Sequence, residues 1–543
     1  MSILDLEVAA PLQGYKPRRS KRTLGDPGTY PAGLLSGQSS GGFAAAKINR
    51  LTTDFIGQSR SADQDLQGDN RQLRARARKL ALDTPFIRKF LASLVQNVVG
   101  PAGILMQSKI TGLNGKTTAE TTRINQRIEE EWNRWCRVGN CTADGRFSWV
   151  ELQQMAIKNC GREGENLVKF VLGRDFNAAG IALQPIDNDQ LDDTMMQADG
   201  AGGEIRMGVE VTQYRRPVAY HLWSGHPNDT VSNNRTRLRV PAPEIVHTAV
   251  WERPGQTRGY TWIAAAMLAI NQFQRYEEAV IVAARASAAK FGVIETEYAE
   301  GMFGDDEDEE GSDINSDGTQ YMSGDAGEFL DLGVGKQLKF TDPRFPTNTH
   351  KDFTQTMLRN IATGLLEQYP SIGNDLEGVN FSSIRAGMLE YRDSMRVIQR
   401  WFVDHFCWPI FKRWLEMALL TVLSDITLTP QQREQFAWRA RGWDWVDPVK
   451  DADAAILRLG NAFSSYSDEL GLLGKDFEAT MEERAKEQKF IEDLQTRFGL
   501  KNPVVLGTDL AGDQGGKGVA AGDESAAATA AGGTKATAKP GGK

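Results

Sequence analysis

Residues 256–292 read "QTRGYTWIAAAMLAINQFQRYEEAVIVAARASAAKFG", an alanine-rich, proline-free stretch that is apolar on both sides of a polar interruption at 271–278. A helix apolar almost all round must be contacted on most of its faces. The interruption rules out a bilayer span, which needs about 20 consecutive apolar residues. What remains is a long helix with neighbours on several sides, and a cyclic ring with a heterologous interface supplies two of them. Ala264, Ala265, Ala266, Ala269, Ala283, Ala284, Ala286, Ala288 and Ala289 allow close approach, with Ala283 and Ala286 the packing candidates.

The text on either side of this helix differs in character. Upstream, 165–240 carries short β-prone runs ("NLVKFVL", "IALQPI", "GVEVTQ", "PVAYHLW", "RTRLRV") separated by Gly, Asn and Asp, which predicts an α+β domain. Before it, the spacing predicts helices from Asn70 with a break near Pro85, a stop at Gly100-Pro101, and further helices around 129–136 and 148–160. Arg74, Arg76, Arg78 and Lys79 make a basic side on the first of these. Residues 1–70 read as an extended arm, with order beginning near Asn70. Downstream comes a polar insertion containing the acidic run Asp305, Asp306, Glu307, Asp308, Glu309 and Glu310, with strand-like ends at 329–332 and 337–340. A helix then follows from about Lys351, and a very long one from Ser382 to Leu423 with Pro409 as its expected kink. The tail after Leu510 is low-complexity.

On that long helix Arg385, Arg392, Arg396 and Arg400 fall within roughly 80° of one another at 100° per residue. They are candidates for salt bridges within or between subunits, or for contact with a phosphate backbone. The acidic run is a solvated loop or a surface for a basic partner. A formal charge of −8 argues against tight non-specific nucleic-acid binding over the whole surface but permits a local basic stripe.

Enzyme chemistry finds little footing. No phosphate-binding Gly-rich loop with its Lys is present, and "GREGEN" at Gly161 is not one. The five histidines lack a nucleophile or carboxylate partner at diagnostic spacing. Asp313 to Gly318 copies the first half of a calcium loop, but the twelfth position is Gly324 where a Glu is required. No catalytic residue, cofactor or metal is expected. Four cysteines without disulfide or metal spacing, and a start without a signal-like pattern, point to a reducing compartment.

"LRARARKLALDTP" (73–85), "NVVGPAGILMQ" (97–107), "RVPAPEIVHTAVWERPGQTRGYTW" (239–262), "RNIATGL" (359–365), "NFSSIRAGMLE" (380–390) and "WDWVDPVKDADA" (443–454) occur in this order within the roughly 430 residues from Arg71 to Phe498. Together they resemble the lambda-type portal proteins of tailed bacteriophages, with Phe381 standing where relatives tend to have tyrosine. The resemblance implies a portal fold assembled into a ring of twelve around a channel for double-stranded DNA. Its parts would be an arm (1–70), wing (71–255), stem helix (256–294), clip (295–340), second stem helix (341–364), tunnel loop (365–380), long core helix (381–425), crown (426–509) and tail (510–543). It also implies docking of the large terminase subunit and a neck or head-completion protein at the clip, and contacts with major capsid and scaffold proteins. The protein would sit at the portal vertex of the virion, and in the host cytoplasm during assembly, without membrane contact. Two alternatives stay open. One is a nucleic-acid-binding head protein that forms no ring and uses Arg74 to Lys79 and Arg385 to Arg400. The other is a hydrolase in the 165–240 domain using His221 or Asp189.

Overall fold

The computed structural model describes residues 59–112, 115–198, 203–230, 235–288, 292–296, 336–340, 349–377, 380–443 and 448–499. The chain divides into two units, Met1–Arg60 and Ser61–Lys543, and all described residues except Ser59 and Arg60 belong to the second. Helical and sheet blocks alternate, giving an α+β fold.

The first block holds α1 (Ala62–Leu66), α2 (Asn70–Asp83), α3 (Pro85–Leu94), β1 (Leu105–Ser108), α4 (Ala119–Trp135) and α5 (Trp149–Glu163). Pro85 opens α3 at a position where its missing N–H costs no helical bond. Ser148 and Glu151 form a capping box at the start of α5, and Gly164, at φ 90°, ends it. A helix already precedes Asn70, where the sequence places the first one. A Ser61–Gln64 capping box starts α1, and its Asp63 is buried at 1% exposure.

Next come β2 (Glu165–Leu172), β3 (Ile181–Ile186), β4 (Gln197–Ala198), β5 (Glu204–Arg206), β6 (Val209–Val211), β7 (Pro217–Trp223), β8 (Arg237–Pro241) and β9 (Ile245–Ala249). They form a three-stranded sheet ordered β3-β2-β9 and a five-stranded meander from β4 to β8, both with antiparallel pairings. Leu167, Leu191, Val209, Tyr220, Leu222 and Val240 make a small core of their own here.

Then follow α6 (Ala264–Ala288), β10 (Gly292–Thr296), β11 (Lys336–Phe340), α7 (Thr349–Gly364), α8 (Tyr369–Gly373), α9 (Phe381–Phe402), α10 (Trp408–Ala418), β12 (Phe436–Arg439), α11 (Pro448–Gly460), α12 (Tyr466–Leu472) and α13 (Phe477–Phe498). The expected strand near 337–340 is present as β11, but its partner is β10. The expected stem helix reaches 294, but 292–294 already belong to the strand; Val293, Ile294 and Thr296 are β-branched and favour the extended chain. The run 329–332, the acidic run and the calcium-like loop lie outside the described residues.

The long helix from Phe381 is interrupted and ends sooner than expected. A π-turn at Val403–Cys407 separates α9 from α10, and α10 stops at Ala418. Pro409 supplies the reason, because it has no N–H for the carbonyl of His405 four residues earlier. The fully buried Thr248 hydroxyl of β9 donates to that carbonyl at 3.3 Å.

The main core is aromatic. Trp132 meets Trp414 edge-on with ring centroids 4.9 Å apart, and Trp149 stacks on Phe406 at 5.5 Å. Such pairs add about 0.5–1.5 kcal/mol beyond their area burial. They join α4 and α5 to the π-turn and α10, while β12 pairs with β1 and ties the C-terminal segment back to the first block.

Candidate functional site

Along α6 the buried residues are Ala266, Met267, Ile270 and Phe273, an i, i+3/i+4, i+7 stripe, preceded by buried Ile263. The polar interruption lies where the helix meets other elements. Gln274 Nε2 donates to Thr84 Oγ1 at 2.9 Å, and the Tyr276 hydroxyl bonds His350 Nδ1 at 3.0 Å. The Tyr276 ring also packs on Phe353 at 4.6 Å. Gly364, at the end of α7, lies against Ala266 near the start of α6, where an added Cβ would come within 3.2 Å. The two helices are therefore antiparallel, and β10 and β11 continue from their far ends. From 274 to 285 no residue of α6 is buried within the chain. Ile281 and Val282 are 50% and 57% exposed, Leu268 67% and Phe353 45%. Ala283 is half-buried, and the side chain of Ala286 lies outside the described residues.

The root of α6 is held by buried charge that the sequence reading missed. Arg258, just before α6, and Glu165, at the start of β2, are both fully buried, with Arg258 Nε 3.0 Å from both carboxylate oxygens. Arg74 of α2 is 1% exposed and pairs with Asp189 and Asp193 at 3.1 Å each and with Glu165 at 3.5 Å. Arg78 reaches Glu163 at 2.7 Å, Asp187 at 2.9 Å and Asp189 at 2.5 Å. His247 of β9 meets Glu165 at 3.0 Å. Burial pushes the Glu165 carboxyl up, but Arg258 and His247 outweigh it and hold it well below the usual carboxylate range. Asp189 is likewise lowered: burial works against its charge, and Arg74 and Arg78 prevail.

Backbones close in around this pair. A Cβ on Gly164 would strike the Tyr260 backbone, and one on Gly259 would strike Gly164. Asp63 of α1 accepts from the Thr257 N–H at 2.7 Å and from its hydroxyl at 2.8 Å. Segments distant in sequence thus converge on one knot at the base of α6. The available signal was the density of arginines in "LRARARK" and "PGQTRGY", which reads equally well as a solvated face.

The basic side of α2 is accordingly not the free binding surface that the ring-less alternative requires at Arg74 and Arg78, although Arg76 and Lys79 are exposed. Asp189 is taken up by arginines, and His221 faces Glu210 at 3.4 Å, so the residues named for a hydrolase do not form a joint site. His226 comes within 3.5 Å of Asp189 and, with Asp187, offers three ligand atoms close together, but Arg78 already neutralises both aspartates.

The arginines of α9 have partners in the chain. Arg385 pairs with Asp451 of α11 at 2.5 Å, and Arg400 with Asp404 at 3.0 Å. Arg396 pairs with Asp393 and lies over the Trp443 ring at 5.5 Å. Arg392 is half-buried and also engaged.

Residues 49–399 match the family described as "Phage portal protein, lambda family". The chain is 32% identical over 468 residues to the "Probable portal protein" of Halomonas phage phiHAP-1, covering 85% of this chain and 88% of that protein. The chain belongs to the lambda family of phage portal proteins. It is 21% identical to the portal protein of Escherichia phage N15 over 55% of this chain and 60% of that one. With portal protein B of Escherichia phage lambda it shares 24% identity over 32% of this chain and 33% of that one. A chain of the solved virion of a native gene transfer agent particle overlaps at a TM-score of 0.42 and 15% identity, covering 75% of this chain and 94% of that chain. As a portal protein, this chain forms the ring channel at the capsid vertex of the virion through which DNA is packaged and ejected.

Proposed function

We propose that the antiparallel α6–α7 pair is the stem of the ring, with its far ends leading through β10 and β11 into a clip at 295–340. The observation that carries this is the part of α6 after its polar interruption, 279–285, apolar up to Arg285 and unburied in the single chain. A neighbouring copy on each side would cover Ile281 and Val282, with Ala283 and Ala286 setting the closeness of approach. The two sheets with α2–α5 would be the wing, residues 365–380 the tunnel loop and 426–509 the crown. Twelve copies, with the acidic residues 305–310 of the clip presented to the terminase or a neck protein, complete the reading. Capsid and scaffold proteins would meet the outside of the ring.

Arg385, Arg396 and Arg400 each have an acidic partner within the chain, and this reading assigns them to structural ion pairs, those of Arg396 and Arg400 exposed and therefore weak. A duplex of any sequence must pass, and base readout would hinder it. Electron microscopy of the purified protein with its native mass tests the reading. Rings near twelve chains with a hole wide enough for a duplex are expected, and a monodisperse monomer under assembly conditions would overturn it.

A further inference from the structure

Lys351, Gln355 and Arg359 stand four residues apart on α7 and so share one face. The next stretch of the same chain covers them. Lys351 Nζ pairs with Glu377 Oε2 at 2.6 Å, and Gln355 Nε2 donates to Asp375 Oδ2 at 3.2 Å. The Arg359 guanidinium lies over the Tyr369 ring at 5.2 Å. The Tyr369 hydroxyl donates to the same Asp375 oxygen at 2.5 Å, and the Glu377 N–H donates to the other at 3.0 Å. Segment 365–377 therefore runs back along α7, meeting 359, 355 and 351 in turn.

Little apolar burial holds it there. Ile372 is buried, but Leu366 and Leu376 are 81% and 67% exposed. Leu366 and Asn374 sit at φ 55° and 48°, the left-handed region that favours glycine or asparagine, so the segment is bent at two points to reach the helix. The Lys351–Glu377 pair is 62% and 73% exposed, a setting in which ion pairs are weak and screened by salt.

We propose that residues 365–377 form a strap that holds Lys351 through the Glu377 carboxylate and Arg359 through the Tyr369 ring, two cations that otherwise meet the phosphate backbone of DNA, so that strap and DNA compete for them. Glu377 presents to Lys351 the kind of anionic oxygen that a phosphate does, while Asp375 ties the strap to the neutral Gln355 between the two cations. Lys351 and Arg359 are about 12 Å apart along the helix axis, within reach of one backbone. Competition keeps the grip low, because each phosphate contact replaces an internal one and the net gain is small. This rests on the portal reading, in which DNA passes the ring.

The test uses the assembled full-length protein and a short duplex of random sequence, with affinity followed against salt and hydrogen exchange followed over 365–377. In Asp375→Asn/Glu377→Gln we expect faster exchange in the strap, roughly tenfold tighter binding at low salt and a steeper salt slope. Adding Lys351→Ala and Arg359→Ala to that variant should return binding to the original level. Unchanged affinity in the first variant, or a gain that survives loss of both cations, overturns the proposal. Should the double variant fail to fold, Glu377→Gln alone alters one exposed side chain and is read the same way. Native mass separates the two levels: monomers would count against the ring, whereas rings with unaltered DNA affinity would count against the strap alone.

Discussion

Glu165 and Arg258, 93 residues apart in sequence, bury their charges completely against each other, with Arg258 Nη2 2.5 Å from Glu165 Oε1. Breaking one side of a buried pair costs about 3–5 kcal/mol when the other charge is left alone, and Arg74 at 3.5 Å and His247 at 3.0 Å offset only part of the loss of Arg258. We therefore expect Arg258→Met to lower the unfolding midpoint sharply and to reduce ring yield. Glu165→Leu/Arg258→Met should recover part of the loss, since neither charge is then stranded. Denaturant titration of the three proteins measures this, and a double variant no better than the single one would refute it.

The same knot predicts an acid limit. The folded Glu165 and Asp189 carboxyls both lie below their ordinary values of 4.5 and 3.8. Below those values the unfolded chain binds more protons than the folded one, so stability falls as pH falls. Their contribution is fully present above pH 4.5 and is lost progressively below it, towards the lowered folded values. Thermal midpoints between pH 7 and 3 should show the decline, and Glu165→Gln should flatten it.

Gly164 and Gly259 are a backbone contact without room for a methyl group. Gly164→Ala adds a left-handed φ of 90° to the clash with Tyr260. Overpacking of this kind typically costs 1–3 kcal/mol, and here the obstacle is backbone, so a loss of about 3 kcal/mol is expected. Gly460, which has open space around it, serves as the control and should tolerate alanine with little change.

Assembly should depend on the uncovered part of α6. Burying a valine or isoleucine side chain contributes about 1.5–3 kcal/mol, so Val282→Asp should weaken each subunit contact by more than tenfold. Native mass would then report small oligomers of folded protein. Ala283→Leu should also block closure, by overpacking. Intact rings from both variants would place the interface elsewhere.

Deleting 297–335 while joining β10 to β11 through a short turn should leave rings intact and abolish docking of the packaging motor. Loss of the ring itself, read by mass, would refute the assignment of that insertion as the clip.

The sequence by itself determined the family, the alternation of helical and sheet blocks and the break before Pro85. The family follows from the resemblance carried by the motifs between 73 and 454, and the blocks and the break from periodicity and turn residues. Tertiary structure decided what the charges do. On α2 the arginines look alike in sequence, yet Arg74 is buried and Arg76 is exposed, because only the former faces Glu165, Asp189 and Asp193. Helical spacing gathers charges on one face but does not say which distant segment will meet them. The same holds for Pro409, where a kink was legible but the Thr248 hydroxyl that takes over the orphaned His405 carbonyl, 157 residues away in sequence, was not. A long-range partner of this kind is fixed only when the whole chain has packed.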